Sequence, residues 1–316
     1  MDGYMPAETG RRRTLKAAIG CVGVGVHSGR RVALSLRPGA PGSGIVFRRT
    51  DLGGIELAAR WDNVVDTRLC TVLGDPSQPK LRIGTVEHVM AALAGCGIDD
   101  AVVELDGPEV PILDGSAAPF VFLIDCAGTV TRAGMTEVLE VLRPVRVQEG
   151  EAWAELTPNG GDRFEADLTI DFRAAAIGRQ RLSERLTPHA FRTALADART
   201  FAMAEEVVQL QAAGLGLGGN LTNAVVVDGA KVLNPGGLRR PDEFVRHKLL
   251  DAVGDLALAG APLRALFTGH RSGHALNNRL LRTLFADRSA WRLVPPALLS
   301  EGFSARLPAA AAPSIA

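Results

Sequence analysis

The 316 residues carry 35 Lys plus Arg against 35 Asp plus Glu, so no net field draws the chain to nucleic acid or to an anionic membrane surface. With 47% apolar and 22% charged residues, the composition is that of a folded protein and excludes a mainly disordered one. No uncharged run of about 18 apolar residues predicts a membrane span, and Met1 to Gly10, holding Asp2 and Glu8, does not read as a signal peptide; the expected location is the cytoplasm.

This length allows one large domain or two of roughly 150 residues. In chain order, Val32 to Leu36 and Ile45 to Arg48 alternate as strands around the turn-rich segment Pro38-Gly39-Ala40-Pro41-Gly42-Ser43-Gly44, which predicts a hairpin-like pair. Thr85 to Ala94 has helical periodicity, with Thr85 as N-cap and Gly95 and Gly97 near its end. Ala101 to Leu105 follows as a strand. Cys21, Cys70, Cys96 and Cys126 lack CxxC spacing and fall mostly in apolar stretches; they read as reduced, buried small residues rather than disulfides or thiolate ligands.

The second half repeats this plan. Ala152 to Leu156 and Glu165 to Phe172 read as strands flanking Pro158-Asn159-Gly160-Gly161, and Glu243 to Ala259 reads as a long helix leading through Gly260-Ala261-Pro262 into a strand, Leu263 to Phe267. Val86-Glu87-His88 lies over Val245-Arg246-His247, each near the start of its helix. The pattern predicts a duplicated α+β unit with its boundary near Thr131 to Thr136. That gives domain I over residues 12–133 and domain II over 134–306, with residues 1–11 and 307–316 disordered. Within domain II, residues 200–223 read as an insertion: a helix from Ala204 to Ala213, then the pliable apolar tip Gly214-Leu215-Gly216-Leu217-Gly218-Gly219. That tip neither follows a strand nor has phosphate-loop context.

Three clusters could carry chemistry. His247, Asp251 and Asp255 recur every four residues and form a polar stripe on the long helix. A His and an Asp so spaced can hold one divalent ion, yet taken alone a solvated or internally hydrogen-bonded face reads better. Glu87 and His88 add a carboxylate and an imidazole; two His and one carboxylate are a usual catalytic zinc set that leaves a position for water. Only the pseudo-repeat, which makes the two His-bearing helices equivalent, turns these pairs toward one site. Glycines around His274, after a strand end, suit an imidazole presented into a cleft, or equally a capping histidine in a turn. Thr200 reads as a cap, a turn residue or an oxyanion donor.

Read together, the segments resemble the UDP-3-O-acyl-N-acetylglucosamine deacetylases, zinc enzymes of lipid A biosynthesis. The resemblance runs from Arg13-Thr14-Leu15-Lys16 to about Leu284 through Gly23-Val24-Gly25-Val26-His27-Ser28-Gly29, Phe47-Arg48-Arg49-Thr50-Asp51-Leu52, Thr85-Val86-Glu87-His88, Pro111-Ile112-Leu113-Asp114-Gly115-Ser116, Ala198-Arg199-Thr200-Phe201, Pro241-Asp242-Glu243-Phe244-Val245-Arg246-His247-Lys248 and Ser272-Gly273-His274-Ala275-Leu276-Asn277. It implies two β-α-α-β domains sandwiched with their helix layers inward, each with an insertion. It also implies one zinc per chain on His88, His247 and Asp251, with Fe(II) suited to the same ligands.

Further implied roles are Glu87 as general base and His274 as the acid that faces the oxyanion, with Asp255 orienting it and Thr200 joining the oxyanion site. Lys248 and Arg271 would meet the diphosphate. Phe201, Leu215 and Gly219 would line the acyl passage. The implied partner is a small acylated UDP-sugar bound by a monomer, with neither nucleic acid nor stable membrane insertion. Two other classes stay open to test: a zinc peptidase, although HExxH is missing, and a non-catalytic binder of acylated nucleotide sugars.

Overall fold

The computed structural model of the protein describes residues 10–295. Two five-stranded mixed sheets frame it. In spatial order the first is Ile19–Val24, Arg31–Pro38, Ala101–Leu105, Ile45–Arg49, Ile55–Ala58, and the second is Val145–Glu149, Ala152–Thr157, Leu266–His270, Glu165–Asp171, Arg179–Arg185. In each, the last strand in sequence inserts at the centre, antiparallel to one neighbour and parallel to the other. The same order and polarity occur twice, so the fold is the duplicated α+β arrangement.

That central strand corrects the expected hairpin. Arg31–Pro38 and Ile45–Arg49 do not pair with each other, because Ala101–Leu105 lies between them. The segment between them crosses over this strand so closely that a Cβ on Gly39 would sit 2.6 Å from the Ala101 nitrogen. Leu263 to Phe267 is likewise not one strand: Leu263–Arg264 pairs with Val138–Val141, and only after buried Ala265 does Leu266–His270 enter the large sheet.

Among the described residues there are six helices: α1 (Glu87–Gly95), α2 (Ala118–Ala127), α3 (Pro188–Ala190, continuing as a π turn through Phe191–Leu195), α4 (Ala204–Ala212), α5 (Glu243–Ala257) and α6 (His274–Ala286). α2 joins α1 in the first unit and α6 joins α5 in the second, while α1 packs directly on α5 across the units. This is why both central helices are buried almost all round: α1 leaves only Ala94 outside its buried set, and α5 only Arg246, Lys248 and Ala257. A helix with no solvated face lies between layers. Here α1 and α5 cover each other across the units, α1 is also covered by α2, and α5 by α6 and the strands Glu165–Asp171 and Arg179–Arg185.

The close approach depends on Gly254, where an added Cβ would stand 2.0 Å from the Glu87 carbonyl oxygen. Thr85 does not cap α1 as expected. It adopts φ 57, a left-handed conformation unusual for a β-branched residue, and its hydroxyl turns to Glu109 at 3.3 Å. The kink redirects the chain from the strand Gln78–Ile83 into the helix.

Each unit carries an insertion beside the helix interface: a three-stranded sheet of Val64–Asp66, Val72–Asp75 and Gln78–Ile83 in the first, and α4 with the strands Phe201–Met203, Val225–Asp228 and Lys231–Val232 in the second. The segment where the boundary was expected, Thr131 to Thr136, lies largely within the strand Thr129–Met135, which pairs with Arg11–Leu15. Of the ends expected to be disordered, Arg11 opens that strand; residues 1–9 and 307–316 lie outside the described residues. The cysteines are all free as expected, but only Cys70 and Cys96 are buried; Cys21 is half-buried and Cys126 is exposed. Among the described residues no helix is long and apolar enough to cross a membrane.

Candidate metal centre and active site

Packing α1 on α5 brings two distant pieces of sequence to one point. One ligand atom each from His88, His247 and Asp251 lies within 4.8 Å of the others, and the three residues are only 2–3% exposed. A solvated polar face is thereby excluded. His88 Nε2 and His247 Nε2 stand 3.5 and 3.2 Å from Asp251 Oδ1, close to the separation of about 3.3 Å between neighbouring ligands of a tetrahedral zinc with bonds near 2.0 Å.

The hydrogen bonds support a cation at this point. Asp251 Oδ1 is buried without a hydrogen-bond partner among the described residues, a costly state for a carboxylate oxygen unless a cation meets it. His247 Nδ1 lies 3.0 Å from the Ala198 carbonyl oxygen, which can only accept, so Nδ1 holds the proton and Nε2 offers its lone pair to the centre. Burial, the first cause, lowers the His247 pKa to about 4 against the pull of Asp251, which keeps the ring neutral as a ligand must be. Burial opposes ionisation of Asp251, but His247 and Lys248 hold its pKa well below the usual carboxylate range. These residues could hold a metal ion.

Around this centre lies a cavity of about 890 Å³. Glu87, His274, Thr200, Lys248, Arg271, Phe201 and Gly219 all line it together with His88, His247 and Asp251. Glu87 precedes His88 on α1; burial lifts its pKa above the ordinary value while His274 and His88 pull it back. His274 opens α6, where the helix dipole disfavours a cation. Asp255, one turn beyond Asp251, reverses that preference: its Oδ2 accepts from His274 Nδ1 at 2.9 Å. Burial alone would lower the His274 pKa, yet Asp255 and Glu87 raise it to about 9. Asp255 does not face the cavity but stands behind His274.

Thr200 is fixed by its backbone, whose N–H donates to the Gly115 carbonyl at 2.8 Å and whose carbonyl accepts from Val225 at 2.8 Å. Behind it, buried Glu243 on α5 accepts from the Arg199 backbone and guanidinium at 3.0 and 2.8 Å. The segment Ala198 to Thr200, which leads into the strand Phe201–Met203, is thus tied to the helix carrying His247. Lys248 Nζ donates to Asp251 Oδ2 at 2.7 Å, leaving two of its three N–H donors for another anion. Arg271, at φ 53, pairs with Glu151 at 2.8 Å on the cavity rim.

Leu215 corrects an expectation: it is 36% exposed and absent from the cavity wall, although Gly216 and Gly219 of the same tip line it, and its N–H donates to the Leu210 carbonyl at 2.8 Å. The apolar wall is made instead by Phe201, Met203, Val207, Leu210, Leu221 and Val226. Phe201 is held edge-on to Phe172 and Phe244 at 5.4 and 5.0 Å. Two residues that sequence reasoning missed matter here. A glycine inside a helix costs about 1 kcal/mol relative to alanine, and that was the available signal for Gly254; Thr71, in a loop, gave none.

A family model described as UDP-3-O-acyl N-acetylglycosamine deacetylase matches residues 12–286. The chain is 49% identical over 287 residues to the UDP-3-O-acyl-N-acetylglucosamine deacetylase of Acidithiobacillus ferrooxidans, covering 90% of this chain and 93% of that protein. It is 46% identical over 286 residues to the proteins of the same name from Shewanella violacea and Shewanella frigidimarina, covering 90% of this chain and 92% of each.

Proposed function

The chain belongs to the UDP-3-O-acyl N-acetylglycosamine deacetylase family, and from that premise we propose that it holds one zinc ion on His88, His247 and Asp251. With it the enzyme hydrolyses the acetamide of UDP-3-O-acyl-N-acetylglucosamine to UDP-3-O-acyl-glucosamine and acetate, a step of lipid A biosynthesis. The observation that carries the reading is the convergence of three buried ligand atoms on one point with Asp251 Oδ1 otherwise unpartnered.

Bound there, zinc supplies Lewis acidity and brings the pKa of a water toward about 7. The rest falls to the side chains. Glu87 takes the proton of the attacking water. Charge then develops on the acetyl oxygen, where protonated His274 and the Thr200 hydroxyl meet it. His274, its Nδ1–H held by Asp255, turns Nε2–H to the cavity and gives that proton to the departing nitrogen. Lys248 and Arg271 meet the diphosphate, and the acyl chain lies along Phe201 and Gly219 against the apolar wall. One chain supplies ligands, base and acid, so a monomer completes the site. A nucleotide-activated sugar places the work in the cytoplasm.

A base that must be ionised and an acid that must be protonated give a bell-shaped profile. The rate rises as Glu87 loses its proton, at a higher pH than an ordinary glutamate because burial raises its pKa. It falls as pH passes about 9, where His274 loses its own. The check is kcat/KM for acetate release against pH, with His274→Gln beside the wild type. The variant should lose the alkaline limb along with about 10²-fold or more of its rate; an unchanged alkaline limb would remove His274 from the acid role.

A further inference from the structure

We propose that Thr71 is a positioning residue that ties the base of the first unit to the acid of the second, fixing Glu87 and the Asp255–His274 pair in one register. The inference rests on the proposed deacetylase reading of the site.

Thr71 is 1% exposed and lies just before the strand Val72–Asp75. Each of its polar groups is committed. Its N–H donates to Glu87 Oε2 at 3.1 Å, and its carbonyl accepts from the Val86 N–H at 3.3 Å. Its hydroxyl bonds to Asp255 Oδ1 at 2.5 Å, across the two units. An ionised carboxylate only accepts, so the hydroxyl is the donor. The other oxygen of Asp255 accepts from His274 Nδ1 and Asn277 Nδ2, both at 2.9 Å. With both oxygens held, the plane of the Asp255 carboxylate is set, and with it the direction of the imidazole.

On the other side of the same residue, the backbone bond occupies one oxygen of Glu87 and leaves Oε1 to meet a water. The β-branched side chain has few χ1 rotamers to choose from, so it transmits position from one bond to the other. A shift of one unit against the other therefore moves the base and the acid together.

Thr71→Val keeps the shape and removes only the hydroxyl. In the zinc-loaded enzyme, kcat should fall about 10- to 100-fold with KM within about twofold and zinc content unchanged, whereas Thr71→Ser should stay within about threefold of the wild type. Thr71→Ala set against Thr71→Ser makes the same comparison should the valine protein not fold. A kcat unchanged in Thr71→Val and Thr71→Ala, or lowered equally in Thr71→Ser, overturns the proposal. A second readout needs no turnover: the His274 Nδ1 proton resonance should shift in Thr71→Val and not in Thr71→Ser. An unmoved resonance overturns the coupling whatever the wild type does with its substrate. Failure of the wild type to release acetate would instead count against the deacetylase reading.

Discussion

Glu87→Gln should lower kcat by about 10³-fold, in the middle of the range for loss of a general base, while the protein keeps its zinc and its fold. Glutamine matches glutamate in shape and still accepts the Thr71 N–H that now holds Oε2. What it lacks is a carboxylate able to take a proton from water. Asp251→Ala provides the contrast. It removes the oxygen that lies 3.5 and 3.2 Å from the two imidazoles and leaves Lys248 without the partner its ammonium now touches at 2.7 Å. That protein should lose the metal and the activity together. Metal content by elemental analysis beside single-turnover acetate release separates the roles; equal metal loss in both variants would mean that Glu87 serves as a ligand and not as the base.

A second large effect should come from a residue that touches neither substrate nor metal. Gly254→Ala adds one methyl group at a point where its carbon would meet the Glu87 oxygen at 2.0 Å and the Glu87 carbonyl carbon at 2.8 Å. Both are backbone atoms, so no side chain can swing away. The alanine gains about 1 kcal/mol in helix propensity, and overpacking costs about 1–3 kcal/mol, so stability should change modestly. Geometry should change more. To relieve the contact, α1 must retreat from α5 by about 1 Å, a misplacement that can cost about 10²-fold in rate. His88 and Glu87 move with α1, whereas His247, Asp251 and Asp255 stay with α5. Gly254→Ala should therefore weaken zinc binding and lower kcat/KM about 10²-fold with little change in melting temperature. A variant that melts like the wild type and turns over at the wild-type rate would show that the helix spacing is not what sets the site.

The contrast between Gly254 and His247 indicates what the sequence could reveal. The candidate ligands could be grouped because His and Asp four apart must share a helix face and the repeated plan sets His88 and His247 at equivalent points, but only the family resemblance assigned the set to a metal. Their burial was not legible from α5 by itself. A stripe of His247, Asp251 and Asp255 along an apolar helix reads equally as a solvated face until a second helix covers it, and that cover comes from residues about 160 positions away. Strand order failed for a related reason. Pro38 to Gly44 has the composition of a hairpin turn, but pairing was decided by Ala101–Leu105, which outcompetes the local neighbour for the central position. Thr85 looked like an N-cap by residue type and instead took a left-handed kink. Leu215 has the chemistry of a passage residue, but with its N–H held by Leu210 it is 36% exposed and off the cavity wall. In each case local chemistry was read correctly and a tertiary contact settled the outcome.

Metal content and acetate release measured on one preparation decide whether the buried cluster is a working metal centre. Purified protein should carry one zinc per chain and release acetate from UDP-3-O-acyl-N-acetylglucosamine. Removal of the metal by chelation should abolish release, and added zinc should restore it. Protein that holds no metal and releases acetate at an undiminished rate in chelator would contradict the account, because buried His88, His247 and Asp251 would then converge on a point that does no chemistry.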